Sequence, residues 1–147
     1  MSLTIALIAD IHGNLAALDA VLDALTTEPP DQIVCLGDVA ATGPQPREVL
    51  RRLHELGCPL VMGNADAELL DAATPGLETD EESRRIADIS RWCAAQLDDA
   101  DRAFLTSFQP TVEILLGEGR RLLCCHGSRA VTTRSSWPPP PTTSSKA

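Results

Sequence analysis

Residues 3–18 read LTIALIADIHGNLAAL, and the order of chemistries in this stretch decides the fold class. Leu3 to Ala9 is an apolar run of the kind a parallel strand buried on both faces requires. Asp10, His12 and Asn14 follow where such a strand would end. Asn14 is placed to cap a helix whose Leu15, Leu18, Val21, Leu22 and Leu25 fall on one face. Buried strand, polar corner and amphipathic helix make one βα unit.

The same grammar repeats outward from that unit. Gln32 to Leu36 reads as a second short buried strand, and Gly37 to Gln45 as a loop with two glycines. A helix is expected from Pro46, with Val49, Leu50, Leu53 and Leu56 at helical spacing and a stop at Gly57. Pro59 to Met62 reads as a third strand, and Asn64 opens a helical stretch through Leu70. Strands alternating with helices at this spacing predict a parallel sheet covered by helices, an α/β class. Thr74 to Thr79 reads as a linker, and Asp80 to Leu97 as a long helix carrying Ile86, Ile89, Trp92, Cys93 and Leu97. Asp98-Asp99 could cap a shorter helix ending near Phe108. Val112 to Leu116, Gly117-Glu118-Gly119 and Arg121 to Cys125 read as a hairpin.

Composition narrows the function classes. The chain has 147 residues, with 12 Lys+Arg against 21 Asp+Glu and a net charge of −9. That length suits one domain with a real core. An acidic balance argues against general nucleic-acid binding or an anionic membrane surface, which need Lys and Arg to neutralise phosphate. No apolar run approaches the ~20 residues that span a bilayer, and MSLTIALIAD lacks the basic start of a signal peptide. Five cysteines without a small-domain spacing point to reduced thiols and a cytoplasmic setting.

The chain divides in composition near residue 128. Residues 1–128 hold nine Arg, no Lys and all 21 acids; residues 129–147 hold four consecutive Pro, four Ser, four Thr and no acid. The 129–147 tail therefore reads as extended or disordered and foreign to the 1–128 domain.

Polar residues at the carboxyl ends of the strands carry the chemistry, because ligands bind there in open α/β sheets. Asp10-Ile11-His12-Gly13-Asn14 ends the first strand, Gly37-Asp38 the second, Gly63-Asn64 the third, and His126-Gly127 the last. Carboxylates with imidazoles in one cleft suit divalent Mn, Fe or Zn better than a thiolate set would. Two such ions about 3.5–4 Å apart can grip a phosphate and activate water. Either Asp alone could be a turn or cap residue; joined with His12 and Asn64, the ligand reading is favoured. His54 lies between Leu53 and Glu55 and reads as a solvated surface residue. The cysteines read as small core hydrophobes, and Arg84-Arg85 and Arg120-Arg121 as solvated faces or hairpin pairs.

The ordered series D-x-H, G-D, G-N and H-G resembles the calcineurin-like metallophosphoesterases, in particular their small bacterial phosphodiesterase branch. LIADIHGNLAAL, IVCLGDVAATGPQPREVL, VMGNADAELL and Cys125-His126-Gly127-Ser128 carry the likeness across residues 1–128. The resemblance implies a metallophosphoesterase-like α/β/β/α sandwich, here with the second sheet incomplete at the C-terminus. It implies two divalent ions (Mn, Fe, Zn or Ni, with Mn first), Asp10 and His12 on one, Asn64 and His126 on the other, and Asp38 bridging. It implies hydrolysis of a small phosphodiester or phosphomonoester by a metal-bound hydroxide at this dinuclear site, with no covalent enzyme intermediate. Thr42-Gly43-Pro44 resembles a substrate-side loop of the family, with an ordinary turn as the alternative.

Two departures qualify that expectation. Where the family often has a leaving-group histidine stand Ala65 and then Asp66, so Asp66 is the candidate acid, with a first-turn helix acid as its alternative. The family's final G-H-x-H motif has no counterpart, His12, His54 and His126 being the chain's three histidines. Codons can be chosen for Ala130 to Ser144 that, read two bases along, restore acids and an apolar triplet, which suggests a frameshift. The competing expectation is a catalytically impaired family remnant with weak or no metal binding, prone to self-association through an exposed sheet edge. A phosphoryl-aspartate protein is disfavoured, because residues 1–128 contain no Lys and the first strand ends without Asp-x-Asp.

Overall fold

A computed structural model describes residues 3–71 and 80–127. The expected linker at Thr74 to Thr79 and the expected tail at 129–147 lie outside the described residues, as does Ser128.

Strands β1 (Ile5–Ile8) and β2 (Gln32–Cys35) pair in parallel, Ile5 opposite Gln32 through Ile8 opposite Cys35. Helix α1 (Leu15–Leu25) connects them, and the Asn14 side chain accepts the Ala17 N–H at 3.0 Å. Helix α2 (Pro46–Leu56) begins on a proline, whose missing N–H costs nothing in a first turn. It ends at Gly57 with φ 66°, a left-handed cap that glycine adopts without a Cβ clash.

The expected third strand is not a strand. Leu60 forms an isolated parallel bridge to Cys35, and Val61 another to Gln109. Pro59 has no N–H to donate and Gly63 follows closely, so too little chain remains for a ladder. Helix α3 (Asn64–Asp71) follows directly. Helix α4 (Glu81–Gln96) is capped by Asp80, and α5 (Asp99–Thr106) by a capping box between Asp98 and Asp101. Arg47 of α2 pairs with Asp101 at 3.0 Å and with Asp98, tying α2 to the start of α5. An antiparallel hairpin, β3 (Val112–Gly117) and β4 (Arg120–Cys124), closes the described chain, with a register irregularity between Leu115 and Gly117.

Two cores lie on opposite faces of the parallel pair. All five helices contribute to one, through Leu18, Leu22, Val49, Leu50, Leu53, Leu69, Cys93 and Leu105 against Ile8 and Cys35. The hairpin builds the other, with Ile114 and Cys124 against Val34 and Val61. Helix layer, parallel sheet and antiparallel sheet are three of the four expected layers; among the described residues no helix contributes to the hairpin core.

The first strand departs from expectation. Leu7 is 49% exposed, although a strand buried on both faces was expected. Among the described residues β1 pairs only with β2, and the hairpin core stops short of Leu7. His54 is exposed as expected, but its ring also meets Phe104 edge-on at 4.8 Å.

Candidate metal centre

The sheet ends are laced together by backbone bonds before any side chain is considered. The Asp10 N–H donates to Gly37 O at 3.0 Å, His12 N–H to Asp38 O at 3.0 Å, and Gly13 N–H to Val39 O at 2.7 Å. Asp10, His12 and Asp38 all have positive φ, at 55°, 48° and 55°. Non-glycine residues adopt this left-handed region at a cost, and Asp and His do so more readily than most. These turns aim the three side chains at one place. Single ligand atoms from Asp10, His12 and Asp38 lie within 4.8 Å of one another.

His126 joins them from the end of β4. Its Nε2 stands 3.3 Å from Asp38 Oδ2 and 3.2 Å from Asn64 Oδ1. His12 Nε2 stands 4.0 Å from Asp38 Oδ2 and 4.0 Å from Asp10 Oδ1. Asp38 is buried and Asp10 exposed, so the cluster opens to solvent on its Asp10 side. The five expected ligands thus converge from four separate segments.

Whether these residues suit a cation turns on their unused lone pairs. Carbonyls only accept, so His126 Nδ1 donates to Leu36 O at 2.8 Å and His12 Nδ1 to Ala41 O at 3.1 Å. In that tautomer a neutral ring would turn an unprotonated Nε2 toward carboxylate oxygen. Lone pair facing lone pair is unfavourable unless a proton or cation lies between them. A histidine whose far nitrogen is held by a carbonyl is the usual support for a metal-ligating imidazole. Ligand atoms around a common ion at about 2.0–2.2 Å stand roughly 3–4 Å apart, which matches the spacings of both histidines to Asp38. The donor set fits divalent ions.

Asp66 occupies a different place from the other nominated residues. It is fully buried, and its carboxylate accepts N–H groups from Asp38, Val39 and Gly63 at 2.7, 2.9 and 3.1 Å. Burial pushes its pKa up, while these backbone bonds pull the other way. Thr42 Oγ1 lies 2.9 Å from His12 Nδ1, a contact that strand and helix periodicity does not reveal. The supporting carbonyls of Leu36 and Ala41 were equally hidden, because any residue type can supply them. Cys35 is buried, and that burial drives its thiol up to about 12.

A family model for the calcineurin-like phosphoesterases matches residues 3–143. A symmetrical bis(5'-nucleosyl)-tetraphosphatase from Erwinia tasmaniensis is 34% identical over 124 residues, covering 82% of this chain and 42% of that protein. An uncharacterized protein from Methanocaldococcus jannaschii is 42% identical over 66 residues, covering 45% of this chain and 27% of that protein. The crystal structure of a metallophosphoesterase from Sphaerobacter thermophilus superposes with a TM-score of 0.58 at 32% identity, covering 76% of this chain and 44% of the other. The chain spans less than half the length of these curated relatives.

Proposed function

Because the chain belongs to the calcineurin-like phosphoesterase family, we propose that it is a metal-dependent hydrolase of small phosphoesters. The observation that carries this reading is Asp38 Oδ2, set 3.3 Å from His126 Nε2 and 4.0 Å from His12 Nε2. Asp10 and His12 would hold one divalent ion, Asn64 and His126 the other, and Asp38 both. Oxygen and imidazole donors without thiolate favour Mn²⁺ or Fe, with Zn²⁺ and Ni²⁺ also compatible. When bound, the ions supply Lewis-acid polarisation of the phosphoryl group and stabilise the departing oxygen.

The chain's own residues do the positioning. Leu36 O and Ala41 O orient the two imidazoles, and the backbone bonds between the Asp10 and Asp38 turns keep both carboxylates in register. Thr42, exposed beside His12, borders the open side from which a phosphoester would enter. The tetraphosphatase relatives support a nucleotide as the substrate class. Reduced thiols support a cytoplasmic setting, since all five cysteines are free; no described helix is long and apolar enough to cross a membrane. The edge of β1 that no described strand pairs, together with exposed Leu7, supports self-association.

The test is Mn²⁺-stimulated hydrolysis of bis(p-nitrophenyl) phosphate by the purified chain. Turnover that chelator abolishes and Mn²⁺ restores supports the reading. A second reading, an impaired member holding one ion or none, draws on the shortage of histidines: Asn64 and His126 are the second ion's unshared ligands among those identified. Ion stoichiometry without turnover would favour it.

A further inference from the structure

Asp66, the acid that the sequence nominates for proton transfer, has no open side. It is 0% exposed, Oδ2 accepts from Asp38 N and Gly63 N, and Oδ1 accepts from Val39 N. Its place in the first turn of α3 would suit the helix dipole, but that preference does not explain burying a carboxylate completely. The three backbone donors do. Bonds to an ionised acceptor are stronger than neutral ones, and here they all come from the loops that follow β2 and the Leu60–Val61 bridges.

The contact is reciprocal. Asp38 sends Oδ1 back to the Ala65 N–H of α3 at 2.9 Å, while Asp66 holds the Asp38 and Val39 N–H groups. The turn after β2 and the first turn of α3 therefore each lend the other a carboxylate. With Oδ1 committed to Ala65, Asp38 presents Oδ2 alone to His126 and His12. Asp38 sits at φ 55°, a conformation that needs external support.

We propose that Asp66 is a positioning residue that locks the Gly37-Asp38 turn to α3 and thereby fixes Asp38 Oδ2 at the metal centre. This rests on the reading of Asp38 as a metal ligand. Asp66→Asn keeps the shape but replaces one accepting oxygen with a donor that opposes backbone N–H. Mn²⁺ binding, followed by the EPR signal of free Mn²⁺, should weaken about tenfold or more in this variant, in the range seen when a metal ligand loses its support. Glu68→Gln, an exposed acid on the same helix, should stay within twofold of the parent chain. In metal-free protein the amide signals of Asp38 and Val39, and the ring signals of His126, should shift in Asp66→Asn and not in Glu68→Gln.

Unchanged Mn²⁺ affinity in Asp66→Asn, or unmoved His126 ring signals, would overturn the proposal. If the parent chain binds no Mn²⁺, the functional reading fails, and the metal-free signals still decide whether Asp66 places Asp38. Should Asp66→Asn not fold, hydrogen exchange in the unaltered chain decides instead. The Asp38 and Val39 amides should be protected like those of β2; exchange as fast as that of an exposed loop amide would overturn the tie.

Discussion

The Nε2 atom of His126 stands 3.3 Å from Oδ2 of Asp38, joining the end of the hairpin to the turn after β2. Neither residue would be distinctive alone. His126 has its other nitrogen on Leu36 O, and Asp38 has its other oxygen on Ala65 N, so each presents one remaining atom to the other. With a neutral ring these are two acceptors aimed at one point, an arrangement that suits a bound cation between them.

Gly63 leaves room for Asp38. A Cβ at this position would lie 2.1 Å from Asp38 Oδ1 and 2.4 Å from Asp38 N, closer than nonbonded atoms approach, so both the carboxylate and the backbone of Asp38 must move. Gly63→Ala should cut Mn²⁺ affinity about tenfold or more. Gly57→Ala, where a Cβ meets nothing but φ is 66°, should lower stability and leave Mn²⁺ affinity unchanged. Titration of both variants, with thermal melts, checks the contrast.

Leu53 packs with no exposure between α2 and the rest of the helix-side core. Leu53→Ala removes buried methyl groups and leaves a cavity, so unfolding free energy should fall by about 2–5 kcal/mol. Urea denaturation measures it, and a fall well under 1 kcal/mol would mean that this layer is loosely packed.

Leu7 leaves an apolar side chain 49% exposed on one face of β1. If that face causes self-association, Leu7→Lys should shift the chain toward monomer at equal concentration. Sedimentation velocity of parent and variant provides the comparison; identical distributions would assign any association to another surface.

Asp80 caps α4 through bonds from Ser83 N at 2.8 Å and Ser83 Oγ at 2.7 Å, which hold its carboxyl below the usual value of 3.8. A folded pKa below the unfolded one contributes stability above the unfolded value, lost as pH falls through the folded value. Protection factors of the amides in the first turn of α4, the observed exchange corrected for its intrinsic pH dependence, should therefore fall below about pH 4. In Asp80→Ala that loss should be absent, with protection already low at neutral pH.

Much of this fold is legible in the sequence because it depends on local chemistry. The Asn14 cap, the Pro46 start, the left-handed Gly57 stop and the Asp98 cap each follow from a residue and its near neighbours. The ligand candidates were legible for a related reason, since polar residues stand out where an apolar strand ends. What escaped depends on distant partners. Leu7 reads as buried from its strand, but its exposure is set by how far the hairpin reaches. Leu60 and Val61 read as strand, but Pro59 and Gly63 leave them a single bridge each. Asp66 reads as an acid beside a ligand, while its three donors are backbone groups, two of them in another loop, that no side-chain pattern announces.

The measurement that bears most directly on the metal centre is a Mn²⁺ binding isotherm for the parent chain and for Asp38→Ala, run side by side. The arrangement of Asp10, His12, Asn64 and His126 around Asp38 predicts saturable binding in the parent that falls at least a hundredfold in the variant, about 2.7 kcal/mol of binding free energy. Equal binding by both chains would place the ion elsewhere and contradict the account.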